Sequence, residues 1–184
     1  MKKVLLIMSI FLLTNSCAGL KKPRLMAEHK GIDPVFNPYI EKYRDIIGKN
    51  NYSKKFKRLH MNIVDLEPGI VGRCWWLVDG DIEIEMDKQY WDQPINSIDK
   101  EFTVFHELEH CVRFRGHTNR PIIIENISDF FVEVGFYLGI VKKPGLLPDG
   151  CPASLMHSHV FSLSCQLIHY NYYIDEMKNY EKNL

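Results

Sequence analysis

The chain has 184 residues, 46% of them hydrophobic and 25% charged, which sets an ordinary globular core and leaves room for one domain. Lysine plus arginine and aspartate plus glutamate both number 23. No net field therefore gathers nucleic acid or an anionic surface, and nucleic acid is excluded as a partner.

Residues 1–17 stand apart. Lys2 and Lys3 precede an apolar run from Val4 to Leu13, and Thr14-Asn15-Ser16-Cys17 follows. The run is too short to span a bilayer. A basic start, an apolar middle and small or polar residues before a cysteine resemble a bacterial lipoprotein signal. The resemblance implies cleavage before Cys17 and a lipid on it, anchoring the protein to a membrane of the cell envelope. Leu13 stands one place earlier than the usual leucine of that signal, and an ordinary secretory signal is the alternative. Residues 18–30 read as a polar tether and residues 31–184 as the folded domain. Export places Cys74, Cys111, Cys151 and Cys165 in an oxidising compartment. Of the three pairings open to four cysteines, Cys74 with Cys111 and Cys151 with Cys165 is preferred, with free buried thiols as the alternative.

Asn37-Pro38 reads as an N-cap followed by proline in the first helical turn, and Ile40, Tyr43 and Ile47 recur at helical spacing until Gly48. This predicts a helix over 38–47. Leu59, Met61 and Ile63 alternate with His60 and Asn62 as in a half-buried strand, with His60 a surface residue. Two strand-like stretches, 70–78 and 81–86, flank Asp79-Gly80, a hairpin signal. In the second, Ile82, Ile84 and Met86 oppose Asp81, Glu83 and Glu85, which predicts an exposed edge strand able to receive an extended peptide. Trp75 and Trp76 point to opposite faces, so one is expected in the core.

Asn96 or Ser97 opens a helix running to about residue 114 or 115, where Gly116 is expected to end it. Phe102, Phe105, Leu108 and Val112 form its apolar stripe. His106, Glu107 and His110 lie on another face, toward a cleft. A further helix is expected at about 128–138, loop from Lys143 to Pro152, and a C-terminal helix over 170–181.

His106-Glu107-Leu108-Glu109-His110 is the motif HExxH. Two histidines four apart on a helix project side by side and reach one zinc ion per chain. Glu107 is placed to act as the base toward a water that the metal acidifies. A catalytic zinc normally has three protein ligands. The third is His117, just past the end of the helix, or Glu125, if Glu125 to Asp129 opens a second helix facing the first. Glu109 reads as a solvated flank.

The stretch HELEHCVRFRGH resembles the active-site segment of metzincin zinc peptidases, and Ser154-Leu155-Met156-His157 resembles the Met-turn of that clan. The likeness implies His106, His110 and His117 as ligands, Glu107 as base and Met156 as the hydrophobic floor. It departs from the pattern HExxHxxGxxH at Arg113, where a glycine is expected, and at Gly116, which holds the third-ligand place. Ser158 replaces the tyrosine that astacins use on the transition state, which leaves Tyr170, Tyr172 and Tyr173 as candidates for that role. His157 and His159 flank the Met-turn and read as polar loop residues. The ENISD run is also similar to the ENIAD of neprilysin-like peptidases, which would favour Glu125 with Asp129 behind it.

The expectation is therefore an α+β, zincin-like fold with a small mixed sheet, the HExxH helix, a Met-turn and a C-terminal helix. The expected activity is zinc-dependent hydrolysis of a peptide or protein substrate. A surface lipoprotein acting as a binding module is the rival, and the intact Glu107 argues against it.

Overall fold

The computed structural model describes residues 26–117, 145–157 and 162–180. The fold is mixed α+β, a three-stranded sheet with helices packed on it. A 3-10 turn, Pro34–Phe36, is capped by the Asp33 side chain and runs into α1, Asn37–Ile47. Asn37 is thus already inside the helix, whose N-cap position is held by Phe36 without a side-chain capping bond. Gly48 adopts φ +94° and stops the helix. Ile40, Tyr43 and Ile47 are buried, as their spacing requires. A short α2, Ser53–Phe56, precedes the sheet.

The strands are β1, Leu59–Val64, β2, Gly72–Trp76, and β3, Ile82–Asp87. Their order is β1-β3-β2, with β1 parallel and β2 antiparallel to β3. The β2–β3 turn closes through Asp79-Gly80, where Gly80 takes φ +85°. β3 is the centre of the sheet, not its edge. Its acidic face is covered: Glu83 accepts the amides of Glu28 and His29, and Glu85 accepts Arg73 Nε at 3.0 Å and Trp75 Nε1 at 2.8 Å. Both carboxylates are buried. Residues 26–30, expected in the tether, thus lie on the sheet. His60 is also less exposed than expected, accepting the Gly31 amide at Nδ1 and facing Asp81 through Nε2. Neither Trp75 nor Trp76 is in the core. Trp75 is half-buried, and Trp76 is exposed, donating to the Cys111 carbonyl.

After the single turn α3, Lys88–Trp91, the long helix α4, Ser97–Arg113, is capped by Asn96 and crosses the sheet. Phe102, Phe105, Leu108 and Val112 enter one core with Ile84, Met86, Met61 and Tyr43. Two C-terminal helices follow, α5, Leu163–Ile168, and α6, Tyr170–Asn179. Cys17, Glu125, Asp129, the helix expected at 128–138, Ser158 and His159 lie outside the described residues.

Cys74 is joined to Cys111 and Cys151 to Cys165, with Cα–Cα distances of 5.6 and 5.5 Å. The first bond ties β2 to the C-terminal turn of the HExxH helix. The second ties the loop before Met156 to α5. Replacing both Cys74 and Cys111 by Ala is expected to cost about 4 kcal/mol, and Cys151 with Cys165 about 3 kcal/mol, because the first closes the longer loop. Urea unfolding of the two double variants measures the difference.

Candidate metal centre

His106 and His110 lie one turn apart on α4, so their rings meet on one side of the helix. The chain must then fold back for a third group to join them. It does so at Phe114, which takes the left-handed conformation, φ 59° and ψ 29°, with its amide on the Glu109 carbonyl. A bulky residue there is costly. The Phe114 ring packs at a tilt against Trp76, centroids 5.1 Å apart, with the Lys55 ammonium 3.5 Å from its centroid, and these contacts offset the cost. Gly116, expected to end the helix, lies in the returning segment that delivers His117.

The Nε2 atoms of His106, His110 and His117 converge. His106 and His110 are 3.0 Å apart, and each is 3.1 Å from His117. His106 Nδ1 donates to the Leu155 carbonyl at 2.8 Å and His110 Nδ1 to the Arg115 carbonyl at 2.6 Å. A neutral imidazole whose Nδ1 carries the proton has a bare lone pair on Nε2. The carbonyls thus turn the lone pairs of both helix histidines toward the third ring, an arrangement that calls for a cation. Nitrogens around a tetrahedral zinc at about 2.0–2.1 Å stand about 3.4 Å apart, close to the spacing found. Burial, reinforced by His110, lowers the His106 imidazole to about 3, so it remains neutral and able to ligate. The residues present therefore fit a zinc ion.

Two other groups of potential ligands occur among the described residues. In one, Cys151 is spent in a disulfide and His169 Nε2 lies 2.6 Å from Asp149. In the other, Glu85 already holds Arg73 and Trp75. Among the described residues, the histidine trio is the group whose three ring nitrogens converge on one another.

Glu107 is 3% exposed, and its Oε2 is buried with no hydrogen-bond partner among the described residues. Burial raises its carboxyl to about 8. Gly72 of β2 makes room for it: a Cβ there would come within 2.7–2.8 Å of Glu107 Cγ, Cδ and Oε1. Nothing in the local sequence around Gly72 marks this approach, since the partner lies on another element.

Glu109 is fully buried rather than solvated. It accepts Tyr43 Oη at 2.7 Å, Arg113 at 3.1 Å and Arg115 at 2.7 Å. The Glu109–Arg113 spacing of four on a helix was the available sequence signal. Met156 is fully buried beside Leu155, whose carbonyl holds His106, and its amide donates to Ser154 Oγ. The three candidate tyrosines are otherwise engaged. Tyr170 donates to Glu101, Tyr172 to the Ala153 carbonyl and Tyr173 to the Pro152 carbonyl, so they brace α6 and the Met156 loop. His157 is half-buried at the end of that loop.

Comparison of the chain with protein-family models, curated proteins and solved structures gives no match.

Proposed function

We propose that this protein is a zinc-dependent metallopeptidase of zincin-like fold, closest in design to metzincins, exported and lipid-anchored through Cys17. The observation that carries the reading is the convergence of three imidazole nitrogens, together with the buried carboxylate of Glu107, whose Oε2 has no hydrogen-bond partner among the described residues. Zinc held there would act as a Lewis acid, lowering the pKa of water and polarising a peptide carbonyl.

The chain's own groups do the rest. Glu107 accepts a proton at its carboxylate and passes it to the leaving amine. Burial of Glu107 keeps bulk water from competing for that proton, and a divalent cation nearby would draw its raised pKa back down. The Leu155 and Arg115 carbonyls hold two imidazoles in one tautomer. With β3 in the centre of the sheet, the peptide-binding edge falls to β2, one of the two outer strands among those described and the one whose Gly72 borders Glu107.

The departure from HExxHxxGxxH also has a physical account. In that pattern the glycine precedes the third histidine by three residues. Phe114, in the conformation that favours glycine, precedes His117 by the same three. The turn and the ligand have shifted together by one residue.

The test is metal analysis of the purified protein together with hydrolysis of an unstructured protein substrate, before and after chelation. About one zinc per chain and activity lost on chelation and restored by zinc are expected. His117→Ala should weaken zinc binding far more than Glu125→Ala. Absence of zinc uptake, or hydrolysis indifferent to chelation, would sink the reading.

Gly72→Ala provides a finer check. The three atoms nearest its added methyl all belong to the Glu107 side chain, and Gly72 lacks a left-handed φ, so the backbone tolerates alanine. The variant is expected to retain zinc and thermal stability while kcat falls on the order of 100-fold, since the base is displaced. Steady-state kinetics with metal analysis measures both.

A further inference from the structure

The two carbonyls that orient His106 and His110 belong to residues far apart in sequence, Leu155 and Arg115. One side chain from a third element grips both residues. Glu176, on α6, accepts the Leu155 amide at Oε2, 2.9 Å away. Its Oε1 accepts Ser154 Oγ at 2.6 Å and pairs with the Arg115 guanidinium. Ser154 Oγ in turn accepts the Met156 amide at 3.0 Å. Two short relays therefore start at one carboxylate, Glu176 to Leu155 to His106 and Glu176 to Arg115 to His110.

We propose that Glu176 is a positioning residue for the metal centre, fixing the tautomer and direction of two ligand imidazoles from the C-terminal helix. The proposal rests on the metal-binding reading above. It goes beyond that reading because Glu176 touches no ligand and lies outside both the HExxH and the Met-turn segments. The Leu155 main chain is held on both sides of its Cα, by Glu176 at the amide and by His106 at the carbonyl. If the Glu176 acceptor is lost, the Met156 loop is free to rotate that carbonyl away, and His106 Nδ1 loses the partner that keeps its proton. Arg115 would retain Glu109, so its carbonyl is the less affected of the two. The consequence falls mainly on His106.

The test uses the full chain and three variants. Glu176→Gln keeps the shape and one acceptor oxygen but removes the charge. Glu176→Ala removes both. Met177→Ala loosens the same helix at a fully buried apolar position without altering the carboxylate. Zinc affinity is read by competition with a chromogenic chelator, and ligand geometry by the visible spectrum of the cobalt-substituted protein.

The expected result is a zinc affinity about 10–100-fold weaker for Glu176→Ala, with a smaller loss for Glu176→Gln. The cobalt bands shift in both, while Met177→Ala retains the wild-type affinity and spectrum. If Glu176→Ala does not fold, the Glu176→Gln affinity and spectrum carry the test. Wild-type affinity and spectrum in the Glu176 variants overturn the proposal, and so does equal weakening by Met177→Ala. A wild-type protein that takes up no zinc overturns the metal-binding reading itself, an outcome separate from wild-type zinc uptake that Glu176 does not influence.

Discussion

Glu107→Gln is expected to lower kcat by about 100- to 10,000-fold while leaving zinc at about one per chain. The asymmetry follows from what each residue does. The three histidines present the convergent nitrogens proposed as ligands, and the proposed base Glu107 has an Oε2 with no hydrogen-bond partner among the described residues. Glutamine matches glutamate in volume, so the contact with Gly72 is retained. Its amide cannot take up a proton at neutral pH, and the transfer from water to leaving amine loses its carrier. Stability should not fall, since burial already disfavours the ionised form of Glu107. Single-turnover hydrolysis, metal analysis and thermal unfolding on one preparation separate the three quantities. A kcat within twofold of wild type, or loss of the metal, would refute the assigned role.

Much of the centre could be read from local pattern because its parts are local. The spacing of four that brings His106 and His110 together is a property of the helix, as is the apolar stripe that seats α4 on the sheet. The Asp79-Gly80 turn likewise needs only its own residues. The misjudged features depend on what covers a face. Alternating Glu83 and Glu85 have the same period in a central strand as in an edge strand. Residues 28 and 29, together with Arg73 and Trp75, decide the matter by satisfying those carboxylates. The left-handed Phe114 was hidden because its cost is offset by Trp76 and Lys55, which lie far from it in sequence. Glu176 carries no motif at all, and only the folded chain brings it to Leu155 and Arg115.

Glu109→Leu is expected to lower the unfolding free energy by about 3–5 kcal/mol, and the melting temperature by roughly 10 °C or more. Both of its carboxylate oxygens are occupied, by Tyr43 and Arg113 on one side and Arg115 on the other, and the residue has no exposed surface. The two arginine side chains are only 3% and 4% exposed. Removing the carboxylate does not leave them equal. Arg115 retains Glu176, whereas among the described residues Arg113 keeps the Met177 carbonyl, at 2.6 Å, as its hydrogen-bond acceptor. The cost is thus mainly that of a buried guanidinium without a counter-charge, plus an unpartnered Tyr43 hydroxyl. This origin makes a second measurement decisive. If the penalty comes from the stranded charge, replacing Arg113 by Met in the Glu109→Leu background should recover a large part of it, although Arg113→Met alone is destabilising. Urea unfolding of the wild type, the two single variants and the double variant closes this cycle. Additive losses would show that Glu109 and Arg113 act independently, and a loss under about 1 kcal/mol for Glu109→Leu would mean that water reaches the cluster.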